Sequence, residues 1–144
     1  MAGESSGWGV LAWVSLLRAQ QGAFKAVESR LKRAGLPALA WYDILLELER
    51  VDDEGLRQRD IQKRMLLERY NVTRLVDRLE AAGLVTREPC AEDARGAVVK
   101  ITEQGLALRK TMWPVYAAAV EKEFSVKFSE RELETFARLL RRLS

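Results

Sequence analysis

Histidine is absent from this 144-residue chain, and cysteine occurs once, as Cys90. Without histidine, imidazole-based zinc sites and histidine-assisted nucleophilic catalysis are excluded. A single cysteine excludes an internal disulfide framework, as expected in a reducing compartment. The chain also lacks a Gly-rich phosphate loop, a nucleophile beside a base, and any carboxylate constellation beyond scattered surface acids. No catalytic residue, metal-ligand set or cofactor is therefore expected. The apolar run WGVLAWVSLL is too short to cross a bilayer. It follows an acidic start, MAGESSG, where a signal peptide would carry Lys or Arg, so a cytoplasmic protein is expected. Repeats, low-complexity stretches and linkers are also missing.

What is present is apolar and charged in the proportions of a soluble globular domain: 48% hydrophobic and 31% charged residues. The net charge of +3 matters by location. Between Arg57 and Lys100 there are ten basic and seven acidic residues, a difference of +3, so this block carries the whole excess. Such a bias suits an anionic partner.

Periodicity predicts helices throughout. Trp8 to about Arg33 reads as one long helix, apolar nearly all round in its first half, and ended by Gly35 and Pro37. A second helix spans Leu39 to Arg50, followed by the polar turn VDDEG. A short helix over Asp60 to Met65 precedes a longer one over Arg69 to Ala82, ended by Gly83. Two β-branched runs, Leu84 to Pro89 and Ala97 to Thr102, flank the polar loop PCAEDARG and predict a β-hairpin. Thr102 can cap a helix running to about Phe124, with Pro114 as an expected kink. Ser129 and Glu132 form a capping box for a last helix, where Leu133, Phe136, Leu140 and Leu143 share a face. Short helix, turn, longer helix and hairpin together make a winged helix-turn-helix. The fold class is thus mainly α with a small β-hairpin wing and further helices at both ends.

The longer helix has two faces. Val72, Leu75, Val76 and Leu79 follow the spacing of a buried stripe; Tyr70, Thr73, Arg74 and Asp77 repeat it roughly 200° away. Arg69, Asn71, Thr73, Arg74 and Arg78 are side chains that bond phosphates and base edges, and the first four fall early in the helix. In the preceding helix Ile61 and Met65 should pack inward, leaving Lys63 and Arg64 for a DNA backbone. Arg95 on the hairpin would lie near a minor groove, gaining from its negative potential.

The stretch RDIQKRMLLERYNVTRLVDRLEAAGLVTREPCAEDARGAVVKITEQG resembles the MarR family of bacterial transcription regulators. The resemblance rests on VTRLVDRLEAAGLVTR, the D-x-R-G of Asp93, Arg95 and Gly96, and KITEQG, in that order and spacing. It extends from LPALAWYDILLELE to the C-terminal EKEFSVKFSERELETFARLLRRL and is weakest before Leu36. Glu68 and Gln62 depart from the residue types common in the family. The resemblance implies a homodimer with interlocked terminal helices: a dimerisation helix over residues 1–36, a DNA-binding lobe over 37–103, and dimerisation helices over 104–144. It implies that each subunit reads half of a near-palindromic operator, Asn71, Thr73, Arg74 and Arg78 in the major groove and Arg95 on the wing, with Asp93 supporting the wing. It also implies repression relieved by a small aromatic or phenolic ligand or by an oxidant.

A dimer is expected on physical grounds as well, because the long apolar helices need more cover than one subunit supplies. Trp8, Leu11, Val14, Val120, Phe124, Phe136, Leu140 and Leu143 are the candidates for that shared core. Trp41, Tyr42, Trp113 and Tyr116 are the aromatics placed where family members hold ligands, and plain core packing is their alternative reading. Cys90 lacks a His or a second Cys; it reads as a passive wing residue, with an oxidation-sensitive wing as the alternative. The expected function is a dimeric, sequence-specific DNA-binding regulator, a repressor released by a small aromatic ligand. The competing class is a winged-helix protein-interaction module, against which Arg69, Arg74 and Arg78 argue.

Overall fold

The computed structural model describes residues 7–66, 71–90 and 93–144, with the backbone alone at 90 and 93–95. Six helices and a small sheet follow the expected order. They are α1 (Gly7–Arg33), α2 (Leu39–Val51), β1 (Leu56–Arg57), α3 (Gln58–Arg64), α4 (Val72–Ala81), β2 (Val85–Cys90), β3 (Asp93–Ile101), α5 (Glu103–Glu123) and α6 (Glu130–Leu140). The fold is mainly helical, with an antiparallel three-stranded wing in the order β1-β3-β2.

The core explains why these segments pack together. Ile44, Leu45 and Leu48 of α2, Ile61 of α3, Val76 and Leu79 of α4, and Val99 of β3 are all completely or almost completely buried in one cluster. Each such side chain contributes about 1.5–3 kcal/mol of hydrophobic stabilisation. This cluster joins the wing to the helix-turn-helix. A smaller one, built on Leu31, Leu39, Tyr42 and Met112, joins that lobe to α1 and α5.

Caps set the helix boundaries. Ala38 offers α2 no side-chain acceptor, and Glu28 of α1 supplies one instead, its Oε1 accepting the Leu39 N–H at 2.7 Å. Thr102 caps α5 by accepting the Gly105 N–H at 3.1 Å. It also donates its hydroxyl to the Gly83 carbonyl at 2.7 Å, so the end of α4 and the start of α5 are held at one point. The capping box of Ser129 and Glu132 is formed in both directions. Helix α5 continues past Pro114, which lies inside it and lacks the N–H to bond the preceding turn.

Three boundaries differ from the sequence reading. The strand β1 is unanticipated: two residues pair with β3, Leu56 with Val99 and Arg57 with Val98. It is too short to show alternation, but Gly55 places it. With φ +66, Gly55 packs so tightly that an added Cβ would lie 2.5 Å from Val98 Cγ1 and 2.7 Å from the Val99 carbonyl oxygen. Helix α4 begins at Val72 rather than Arg69, because Asn71 takes an extended backbone and caps it. The hairpin is also longer than the β-branched runs suggest. Cys90 pairs with Asp93, so only residues 91 and 92 separate the strands. Cys90 and Arg95 therefore lie within β2 and β3, near the tip, instead of in a loop. Pairing is interrupted between Pro89 and Cys90, consistent with a proline that cannot donate to the ladder on the outer strand β2.

Candidate nucleic-acid interface and an adjoining cavity

Helix α4 is divided as its pattern predicts. Val72, Leu75, Val76 and Leu79 are buried, while Thr73, Arg74, Asp77 and Arg78 are exposed. The first N–H groups of the helix end are partly satisfied by Asn71, whose Oδ1 accepts the Arg74 N–H at 3.1 Å. Asn71 stands just before the helix instead of within it, exposed, with its carboxamide oxygen on the cap. A short polar side chain gains more from that bond than from helical backbone. Arg69 lies outside the described residues, as do the side chains of Asp93 and Arg95 and the expected face residue Tyr70.

The neighbouring elements fix α4 in place. Gln58, at the start of α3, donates its side-chain amide to the Thr73 hydroxyl. Arg87 of β2 donates to the Thr73 carbonyl at 3.4 Å and pairs with Asp77 at 2.5 Å and Glu80 at 3.8 Å. Arg87 is thus held against the helix that the wing flanks, and is taken up by two carboxylates. Lys100 pairs with Glu88 across the hairpin at 2.9 Å. Among the described residues, Arg59, Lys63, Arg64, Arg74 and Arg78 make no ion pair and are exposed. Ile61 and Met65 are buried beneath them, as expected. A groove of about 450 Å³ runs between these parts, lined by Arg57, Gln58, Arg59, Thr73, Arg87 and Gly96 among others. Its charge is suited to phosphates, and the helix beside it is suited to base edges.

Behind this surface, a cavity of about 380 Å³ opens between α2 and α5. It brings together three of the four aromatics named from the sequence. Tyr42 lies 6.2 Å from Trp113 and 5.1 Å from Tyr116, ring centre to ring centre. Trp41 is the exception. It points about 100° away from Tyr42 on α2 and packs against the main core, so it is removed from the cavity set. Burial raises the Tyr116 phenol above its ordinary pKa, with Tyr42 and then Asp43 adding to the effect, so it stays a neutral hydroxyl.

The cavity also contains charge that sequence reasoning missed: Asp43, Arg50 and Arg109 line it, together with Leu66. Arg109 donates to Glu49 at 3.0 Å and Arg50 to Glu47 at 3.2 Å. Asp43 is buried and accepts the Leu66 N–H at 2.7 Å. Spacing could have revealed them. Tyr42, Leu46 and Arg50 fall four apart on α2, and Arg109, Trp113 and Tyr116 fall four and three apart on α5.

The residues proposed for a shared core lie along α1, α5 and α6, with Phe124 just past the end of α5 and Leu143 in the short turn after α6. Trp8 is 79% exposed, Leu11 53% and Leu143 73% in the single chain. Val14, Val120, Phe124, Phe136 and Leu140 are half-buried. Phe124 and Phe136 pack within the chain, ring centres 6.0 Å apart. Phe124, Phe136 and Leu140 also line an apolar groove of about 540 Å³ with Leu16 and Ala23 of α1. Among the described residues no helix is long and apolar enough to cross a membrane, and no group of acids or cysteine is placed to hold a metal ion.

A family model described as MarR family matches residues 34–96, from before α2 through the wing. The HTH-type transcriptional regulator MhqR of Bacillus subtilis is 34% identical over 91 residues, 63% of this chain and 61% of that protein. The match thus spans less than two thirds of the regulator's own length. Two solved structures from Streptomyces coelicolor superpose on nearly the whole chain. Sco3205, a MarR family transcriptional regulator solved in complex with DNA, gives a TM-score of 0.79 at 25% identity, covering 96% of this chain and 86% of that one. AbsC, also of that family, gives 0.75 at 26%, covering 96% and 93%.

Proposed function

We propose that this chain, which belongs to the MarR family of winged helix-turn-helix transcriptional regulators, binds a near-palindromic duplex as a homodimer and represses transcription until a small aromatic ligand enters the α2–α5 cavity. The observation that carries DNA binding is the exposed face of α4. Among the described residues, Arg74 and Arg78 stand there without a carboxylate partner, beside Thr73 and with Arg59, Lys63 and Arg64 on the helix before it. Arg74 and Arg78 offer two-pronged donors to guanine, and Thr73 suits either base-edge donors or a thymine methyl. The basic residues of α3 supply phosphate contacts that set register without reading sequence. The solved DNA complex of Sco3205 supports this use of the fold.

Exposed Trp8, Leu11 and Leu143, with the apolar groove between α1 and α6, support the homodimer. The cavity supports the ligand reading: stacked aromatic walls, a neutral Tyr116 hydroxyl, and Arg50 and Arg109 beside them suit an aromatic guest bearing an acidic group.

The test is a gel shift with the duplex upstream of the protein's own gene. Arg74→Ala should weaken specific binding roughly 10- to 100-fold, the loss of one two-pronged base contact, while its melting temperature stays at the wild-type value. An Arg74→Ala protein that binds as tightly as wild type would show that α4 does not read the site.

A further inference from the structure

We infer that Gln58 is a positioning residue: it holds the Thr73 hydroxyl toward α3 and leaves the Thr73 methyl group to meet the 5-methyl of a thymine. This specificity role rests on the reading of α4 given above. Gln58 is the first residue of α3 and Thr73 the second of α4, so two side chains from different helices meet here. The amide nitrogen of Gln58 donates to the hydroxyl oxygen of Thr73.

Taken alone, each of the two has the chemistry to read base edges by hydrogen bonding. A glutamine reads adenine with its amide oxygen and nitrogen together, and a threonine bonds a base edge through its hydroxyl. Here the nitrogen of one is spent on the oxygen of the other. Gln58 is also half-buried, whereas Thr73 is exposed. Thr73 is therefore the one of the pair that can reach a base, and its hydroxyl is already engaged.

Threonine is branched at Cβ, so a bond to its oxygen sets the whole side chain. In a helix its χ1 divides between two positions, because the hydroxyl can also turn back to a carbonyl of the preceding turn. A donor from another helix removes that choice and fixes the methyl along with the oxygen. The backbone of Thr73 is held too: its carbonyl accepts from Arg87 of β2 at 3.4 Å, and Arg87 is itself paired with Asp77 and Glu80. Gln58 and Thr73 line two grooves at once, one of about 450 Å³ shared with Arg87 and Gly96 of the wing and one of about 400 Å³ shared with Gln62 and Asn71. A duplex seated on α4 meets the rib between those grooves. A methyl held there makes an apolar contact that thymine returns and cytosine does not.

The experiment uses the full chain and the duplex upstream of its own gene, with thymines replaced one at a time by uracil, which removes only the 5-methyl group. For wild type, one thymine in each half-site should lose about fourfold in affinity on replacement, the worth of one buried methyl. At that position 5-methylcytosine should bind about fourfold more tightly than cytosine, which a hydroxyl reading the base edge would not produce. Thr73→Ser keeps the hydroxyl and lacks the methyl, so it should not tell thymine from uracil there. Gln58→Ala should lower the thymine-to-uracil ratio below about twofold at that position and leave the ratios at other thymines unchanged, which a general loosening of the fold would not do. A wild-type protein indifferent to uracil at every thymine overturns the inference, as does a Gln58→Ala protein that keeps the full ratio. Arg74→Ala separates this outcome from a failure of the α4 reading. If Arg74→Ala still loses specific binding, that reading stands and only the role of Gln58 and Thr73 has failed; if it binds as tightly as wild type, both fall.

Discussion

Gly105 is the position where a single methyl group should report on the joint between the winged helix-turn-helix lobe and the long helix. It is the third residue of α5, buried, and crossed by the chain leaving α4. A Cβ built there lies 2.2 Å from the Leu84 carbonyl oxygen and 2.9 Å from Ile101 Cγ1. The carbonyl is not free to give way, because it accepts the Thr102 N–H at 3.1 Å. Thr102 in turn holds both Gly83 and Gly105. Relieving the contact needs a backbone shift of about 1 Å, for which overpacking costs of about 1–3 kcal/mol or more are typical. Alanine's better helix propensity returns up to about 1 kcal/mol. The net loss for Gly105→Ala is about 2 kcal/mol, or roughly 4–8 °C in melting temperature for a chain of this size. The variant should also bind DNA more weakly, because the shift moves α4 and the wing base together. Thermal denaturation followed by circular dichroism checks the first part and a gel shift the second. A Gly105→Ala protein melting within about 1 °C of wild type would refute the packing argument.

Two further outcomes follow from caps and charge. Asn71→Ala should cost about 1 kcal/mol, the usual value of an N-cap, and should weaken DNA binding, measurable by denaturant unfolding and gel shift. Glu123 has its pKa lowered, first by the hydrogen bond from Arg30 at 2.5 Å and further by the charges of Arg30, Lys127 and Arg33. A lowered carboxylate stabilises the fold above its unfolded value of 4.5 and loses that contribution as pH falls through the folded value. Arg30→Met should therefore be less stable than wild type at neutral pH, with the difference shrinking in acid; a gap that stays constant from pH 7 to pH 3 contradicts the linkage.

How much was legible in the sequence depended on whether a residue's role was local. The stripe of Val72, Leu75, Val76 and Leu79, the cap at Thr102 and the box of Ser129 and Glu132 are decided within one turn of helix, and all were readable. Asn71 was placed inside the helix because its capping role shows only in the extended backbone it adopts. β1 escaped because two residues carry no period, and only the contact of Gly55 with β3 defines it. Trp41 and Tyr42 look alike in sequence, yet one turns to the main core and the other to the cavity. Asp43 and Arg109 line one cavity only because α2 and α5 come together, one residue on each helix. Strand β3 was legible from Ala97 onward, while its extension back through Arg95 to Asp93 was not.

The pairing of β1 with β3 has a mechanical consequence. Leu56 and Arg57 lead directly into α3, and their partners Val99 and Val98 lie at the base of the wing. With Arg87 tying β2 to α4, the two helices and the hairpin are joined into one unit, the head that the proposed regulator would set on DNA. In the proposed homodimer, such a head cannot stretch one arm toward a phosphate while the other stays seated. Tolerance to half-sites set closer or farther apart must then come from the long helices between the two heads. Operators with an inserted base pair should be rejected as a whole, by the loss of one entire half-site at a time.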